Sequence, residues 1–170
     1  IHGQSGTAKG DIPPYVAIGE REGSFITVSG QGMDDGNCST GWNVGATGLT
    51  ETCTREAWSP FGAAATCCYE TCKELGKCTA DGEGANCGWS TCFEDVDFFT
   101  SLLKLVGEEL CINTEAVFAT GGSNGGMMVH RLTAEMPTVF RAVVPIYGLP
   151  LAGQLKVPQP LAKVSILQLH

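Results

Sequence analysis

The chain has 170 residues, a length that fits one domain and leaves no room for two domains with separate cores. Eighteen acidic side chains against ten Lys and Arg give a net charge of −8, which argues against nucleic acid or an anionic membrane as the main partner. Apolar residues make up 43% of the sequence, enough for a hydrophobic core, and no apolar run approaches the roughly 20 residues of a membrane-spanning helix.

The N-terminal residues predict the end of a strand followed by a tight loop. Residues 2–6 read HGQSG, and a His-Gly turn with small residues after a strand can present a backbone N–H to an anion, here near Gln4. Asp11 is then expected to cap a short helix over residues 13–18, with the prolines in its first turn. Residues 25–28, FITV, predict a buried strand that ends at Gly30.

Nine cysteines set the middle of the chain apart, and most of them lie between residues 67 and 92. At this density, disulfides in an oxidising compartment are favoured over a zinc cluster, because the CxxC pairs and partner histidines of a zinc site are missing. We therefore expect residues 60–92 to be a disulfide-stapled insertion, and the sequence does not choose among its pairings. The odd total leaves one cysteine without a partner in this chain, and Cys111, between two apolar residues, is expected to be a buried thiol.

Two features point to an extracellular protein. Disulfides form on export, and Asn37 begins an Asn-Cys-Ser glycosylation sequon with the composition of an exposed turn around it. No signal peptide is visible in the first residues, so we expect the true N-terminus to lie upstream.

Helices and strands are predicted to alternate in the second half of the chain. Ser90 or Thr91 is expected to cap a helix with apolar side chains at helical spacing, namely Val96, Phe99, Leu102, Leu103 and Val106. Residues 116–120, 139–147 and 164–169 each contain a short apolar strand. This alternation predicts an α/β fold with a mostly parallel sheet covered by helices on both faces.

A GxSxG pattern, formed by Gly121, Ser123 and Gly125, lies between a predicted strand and a predicted helix. This is the context of a nucleophile elbow, a turn so sharp that side chains two residues before and after the serine would collide. The helix that follows presents its first amides to a developing oxyanion. The pattern therefore indicates acyl chemistry at Ser123, whereas a nucleotide loop is disfavoured because neither GxGxxG nor a P-loop Lys is present.

Longer stretches around this motif carry a family resemblance: FEDVDF at 93–98, ATGGSNGGMM at 119–128 and VVPIYG at 143–148, with HG at 2–3 and GWN at 41–43. They closely resemble the polyhydroxybutyrate-depolymerase and feruloyl-esterase family, secreted α/β-hydrolases that cleave carboxylic esters. The resemblance implies a partial α/β-hydrolase domain over residues 1–170 in which Ser123 is acylated. It also implies that the backbone N–H groups of Asn124 and the Gln4 region hold the oxyanion, that Trp42 shapes the pocket, and that no metal or organic cofactor is needed.

The rest of a catalytic triad is harder to place. A serine hydroxyl needs a histidine to take its proton and an acid to orient that histidine, in the order Ser, acid, His along this fold. After Ser123 the chain offers one acid, Glu135, and two histidines, His130 and His170. Glu135 and His130 fall on the helix that leads away from Ser123, so we expect them to be surface or packing residues. We accordingly expect these 170 residues to be the middle of a larger esterase, without the triad acid and histidine and with little or no turnover alone.

Two other functions stay open at this stage. One is a secreted binding module in which the cysteine cluster is the functional surface, and the other is a catalytically dead relative of the esterases. For the esterase, the partner is a small-molecule or polymer ester, such as a hydroxycinnamoyl-sugar ester or a polyester. The insertion at residues 60–92 is then expected to overhang the active-site mouth.

Overall fold

The computed structural model describes residues 1–11, 17, 21, 23, 25–36, 39–45, 69–74, 90–150 and 164–170. Within these ranges the chain forms four helices and three strands. They are α1 (Ala8–Asp11), α2 (Glu70–Glu74), α3 (Asp95–Glu109), β1 (Phe118–Gly122), α4 (Asn124–Glu135), β2 (Ala142–Ile146) and β3 (Ser165–Ile166). None of the described helices is both long and apolar enough to cross a membrane.

The strands form a parallel sheet in the order β1-β2-β3, which confirms the predicted parallel α/β arrangement. In the register, Phe118 lies beside Ala142, and Ala142 beside Ser165. The first residue of the chain extends the sheet along the other edge of β1, because the Ile1 amine donates to the Thr120 carbonyl at 2.8 Å. The carboxyl ends of these segments therefore meet at one edge, where ligands bind in open α/β sheets.

A single hydrophobic cluster joins α3 and α4 to one face of the sheet. Its fully buried members come from α4, from β2 and from the segment around residue 42, and include Trp42, Val44, Met128, Val129 and Val143. Each such side chain contributes about 1.5–3 kcal/mol through removal of apolar surface from water. Both longer helices thus cover the face of Ala119 and Val143. No helix layer over the opposite face is seen in the described ranges, and Phe118, which strand alternation places there, is 65% exposed.

A buried polar network fastens the segment after Trp42 to both long helices. The Asp95 carboxylate at the start of α3 accepts from the Asn43 backbone N–H, and Arg131 of α4 donates to the Asn43 carbonyl at 2.6 Å. Arg131 is 1% exposed, and its Nε donates to the Glu135 carboxylate at 2.8 Å. Burial raises the pKa of Asp95 to about 6, although the Asn43 N–H and the Arg131 charge oppose the shift.

Three local predictions in the first half of the chain were wrong or lie outside the described ranges. Residues 25–28 form no strand, and Phe25 and Val28 are about half exposed, because β-branched composition favours a strand only where a neighbour completes the ladder. The first helix begins at Ala8, and Thr7 caps it by accepting from the Gly10 N–H at 3.0 Å. Asp11 therefore ends this helix instead of starting one, and most of residues 13–18 lie outside the description.

Two predictions near α3 were also wrong in detail. The helix over residues 95–109 is present, but its N-cap is Glu94, not Ser90 or Thr91. The Ser90 hydroxyl is buried and accepts from the Val44 N–H at 3.0 Å, so a contact distant in sequence occupies it. Cys111 is a free, exposed cysteine, because the chain has already left the helix at Leu110 and the turn that follows faces solvent.

Candidate active site

Ser123 occupies a strained turn between β1 and α4. Its backbone has φ 53° and ψ −119°, a left-handed conformation that a residue with a Cβ adopts at a cost of about 1–3 kcal/mol. The Ser123 N–H donates to the Ile146 carbonyl at 2.7 Å, so the end of β2 holds the turn in place. The side chain is half-buried, and α4 begins at the next residue, Asn124. Strained turns of this kind persist where contacts from the surrounding structure hold the backbone in place, and they often occur at functional sites.

The glycines on either side of Ser123 are required by close backbone approach. A Cβ at Gly121 would lie 2.5 Å from the Gly125 carbonyl oxygen, and a Cβ at Gly125 would collide with the Ile1 carbonyl oxygen. Neither obstacle is a movable side chain, because both are backbone atoms of packed elements. The sharpness of the turn therefore explains the GxSxG spacing directly.

The HGQSG loop lies against this turn. A Cβ at Gly3 would lie 3.2 Å from the Gly122 carbonyl oxygen and 3.4 Å from the Ser123 Cβ, so the residue before Gln4 passes close to the serine. The Gly6 N–H closes the loop by donating to the Gly3 carbonyl at 3.0 Å, which places Gln4 and Ser5 at the tip of a tight turn. The structure thus brings together Ser123, the start of α4 and the loop that contains Gln4. The positive end of the α4 dipole faces the same place.

The His2 side chain has a role that the sequence did not reveal. Its ring is fully buried, with Nδ1 2.7 Å from the Gly3 carbonyl oxygen and Nε2 accepting from the Gly32 N–H at 2.8 Å. A backbone N–H can only donate, so Nε2 carries no proton and Nδ1 is the donor. The His-Gly pair was noted only for its backbone, and the partner at Gly32 is 30 residues away, so no local pattern could have indicated this contact.

Trp42, which the resemblance predicts to shape the pocket, lies in the core beside the HGQSG loop. It has no exposed surface, so it cannot touch a ligand in this conformation. Its ring packs against the rings of His2 and Phe99, with centroids 4.9 Å and 5.2 Å apart. Its indole N–H donates to the His2 carbonyl at 2.8 Å. Trp42 therefore supports the HGQSG loop from the core side. Burial of so large a ring in the core stabilises the fold more than exposure at a solvent-facing surface would.

Glu135 and His130, which follow Ser123 in the chain, are engaged elsewhere. Glu135 binds Arg131, and the pKa of His130 is lowered by burial while its Nε2 lies 2.8 Å from the Gln168 side-chain oxygen. His170 is exposed. Glu135 and His130 are thus committed to partners other than Ser123. The predicted glycosylation site, Asn37, lies outside the description.

The described residues also bear on metal binding. No three His, Cys, Asp or Glu side chains among them lie together as a metal site would require. Of the predicted cysteine cluster, only Cys72 and Cys92 are described, and their sulfurs are 3.3 Å apart.

Comparisons with known proteins match part of this chain. The profile of the prolyl oligopeptidase family matches residues 91–150. Feruloyl esterase D of Neurospora crassa is 43% identical over 72 residues, which are 42% of this chain and 25% of that protein. Feruloyl esterase C of Emericella nidulans is 36% identical over 84 residues, which are 49% of this chain and 31% of that protein. The matches thus span between a quarter and a third of these relatives' lengths. No solved structure matches the chain.

Proposed function

We propose that this chain, a partial α/β-hydrolase similar to feruloyl esterases, carries the nucleophile of a serine ester hydrolase, Ser123. The Ser123 Oγ attacks the ester carbonyl, the alcohol leaves, and water releases the acid from the acyl-enzyme. The observation that carries the proposal is the elbow itself: a serine with φ 53° between a parallel strand and a helix, flanked by glycines that admit no Cβ.

The tetrahedral intermediate places a negative charge on the former carbonyl oxygen. We assign its stabilisation to the backbone N–H of Asn124, at the start of α4, and to a backbone N–H at Gln4. The close approach of Gly3 to the elbow and the orientation of the α4 dipole support this assignment. Loss of one such donor costs about 100- to 1000-fold in kcat in other serine hydrolases.

The acid and histidine of the triad, in this proposal, come from protein outside these 170 residues. The engagement of Glu135 with Arg131 and of His130 with Gln168 supports this, as does the fraction of the relatives' lengths that the chain spans. In α/β-hydrolases both groups follow the serine in the chain. The 170 residues alone are then expected to show little or no turnover.

The proposed substrate is an ester of a hydroxycinnamic acid, linked to a sugar or to a simple alcohol. The support is the printed names of the relatives, feruloyl esterases C and D. The prolyl oligopeptidase match makes peptide amides the second substrate class to be tested. Polyesters of hydroxybutyrate are a third class, which rests on sequence resemblance alone.

The experiment uses the full-length protein that contains this sequence. A fluorophosphonate probe is expected to label Ser123, identified by mass spectrometry of the tryptic peptide, and Ser123→Ala is expected to remove the label. Methyl ferulate, a prolyl-peptide nitroanilide and a hydroxybutyrate oligomer then compete as substrates, and methyl ferulate is expected to have the highest kcat/KM. A protein that binds feruloyl sugars without labelling at Ser123 is a binding module or a dead relative, and the proposal is then wrong.

We further propose that residues 60–92 form a disulfide-stapled insertion in an extracellular protein. The support is that Cys72 and Cys92 are both disulfide-bonded and that their sulfurs lie 3.3 Å apart. Secreted protein is expected to react with a thiol reagent only at Cys111 before reduction, and to lose mass on deglycosylation if Asn37 carries a glycan.

A further inference from the structure

Residues 40–42 lie between the HGQSG loop and the rest of the site, and three hydrogen bonds join them to the loop. The Thr40 carbonyl accepts from the Ser5 N–H at 2.8 Å, and the Thr40 hydroxyl donates to the Gly6 carbonyl at 2.8 Å. The Trp42 indole N–H donates to the His2 carbonyl at 2.8 Å. The loop is therefore held from one side at its first, fourth and fifth residues.

The same segment is tied to the elbow by a fourth hydrogen bond. The Trp42 backbone N–H donates to the Asn124 side-chain oxygen at 2.9 Å, and Asn124 is fully buried. Asn124 directly follows Ser123 and begins α4. Trp42 thus uses two N–H groups, one on each side, to connect the residue after the serine with the first residue of the HGQSG loop.

The loop has little means of holding its own shape. Two of its five residues are glycines, whose backbone loses the most freedom on ordering, and Ser5 has a positive φ of 61°. Within the loop, the Gly6 N–H and the His2 Nδ1 both bond the Gly3 carbonyl, and neither bond involves the Gln4 amide. Contacts from outside therefore decide where the Gln4 amide lies relative to Ser123.

We infer that Trp42 is a positioning residue that sets the spacing between the two proposed oxyanion donors, at Asn124 and Gln4. The inference rests on the proposed function and adds to it a residue that positions the oxyanion donors. An oxyanion needs its donors 2.7–3.1 Å away, and a displacement of about 1 Å in such a site costs on the order of 100-fold in rate. The indole N–H is the group on which this positioning depends, because the ring alone can fill the core without a hydrogen bond to the His2 carbonyl.

The experiment separates this role from that of an ordinary core tryptophan. In the full-length protein, Trp42→benzothienylalanine keeps the bicyclic ring and replaces only the N–H by sulfur. Trp42→Phe removes the N–H together with part of the ring. Phe99→Leu is the matched control, because the Phe99 ring packs 5.2 Å from the Trp42 ring in the same core.

For methyl ferulate, the isosteric variant is expected to have kcat reduced about 10- to 100-fold with KM changed by less than about twofold, because only the charged transition state depends on donor spacing. Labelling of Ser123 by the fluorophosphonate is expected to fall by a similar factor. Phe99→Leu is expected to lower the Tm and to leave kcat near that of the wild type. A wild-type kcat in the isosteric variant overturns the inference, whatever Trp42→Phe shows.

Hydrogen exchange tests, without a catalytic assay, whether the Trp42 indole N–H holds the HGQSG loop in place. The amides of Ser5 and Gly6 are expected to exchange about 10-fold faster in the isosteric variant than in the wild type, and unchanged exchange counts against the role of the indole N–H. Absence of Ser123 labelling in the wild type refutes the proposed function and with it the catalytic consequence. In that case, the exchange data still decide whether Trp42 holds the loop.

Discussion

The buried carboxylate of Asp95 gives the clearest prediction of a pH effect on stability. It is 4% exposed, and burial raises its pKa from 3.8 to about 6 in the folded chain. A raised pKa means that the folded state binds the proton more tightly than the unfolded state. The contribution of protonated Asp95 to the free energy of unfolding is thus fully present below pH 3.8 and is lost as the pH rises through 6.

The size of the effect follows from the shift. The full difference between the two pKa values corresponds to about 3 kcal/mol, of which about 2 kcal/mol lies between pH 4.5 and pH 7. Asp95→Asn is expected to remove this part of the pH dependence. Urea unfolding of both proteins at the two pH values measures it, and the quantity of interest is the difference between wild type and variant, because other carboxylates titrate in both.

The matched control is Asp97→Asn, which removes an exposed carboxylate from the same first turn of α3. This variant is expected to show the same change in the free energy of unfolding with pH as the wild type. If the slope of Asp95→Asn equals that of the wild type within about 0.5 kcal/mol, the ties to Asn43 and Arg131 fully offset burial, and the reasoning is refuted.

Three further predictions concern the elbow and the free thiol. Ser123→Gly is expected to abolish activity and raise the free energy of unfolding by about 1 kcal/mol, measured by urea unfolding, because glycine adopts a positive φ without strain. Gly125→Ala is expected to cost more than about 3 kcal/mol, since its Cβ meets the Ile1 carbonyl, whereas Gly107→Ala, in open space on α3, is expected to gain about 0.5–1 kcal/mol. Cys111 is expected to react with a maleimide in the native protein within minutes, and protection of this thiol against the reagent would contradict its exposed position.

The elbow was predictable because its sequence signature lies within five consecutive residues. The turn at Ser123 needs small residues at positions 121 and 125, and the structure shows which backbone atoms would collide with larger ones. The helix at residues 95–109 was likewise predictable from the spacing of its apolar side chains, and the three parallel strands from their short apolar runs.

Features that depend on distant contacts could not be predicted in the same way. The Ser90 hydroxyl resembled a helix cap, but it is used by Val44, 46 residues earlier in the chain. Trp42 was expected to shape the pocket, but its buried contacts with His2 and Asn124, 40 and 82 residues away, could not be read from the sequence. Residues 25–28 had the composition of a strand, but composition does not specify a neighbouring strand.

The most direct test of the central claim is to trap the acyl group on the serine. Full-length protein is mixed with 4-nitrophenyl ferulate, the release of nitrophenol is followed by stopped flow, and the quenched protein is digested for mass spectrometry. The account predicts a burst of about one nitrophenol per protein and a feruloyl group on the peptide that contains Ser123. A protein that turns over this ester with the acyl group on another residue, or with Ser123→Ala as active as the wild type, would contradict it.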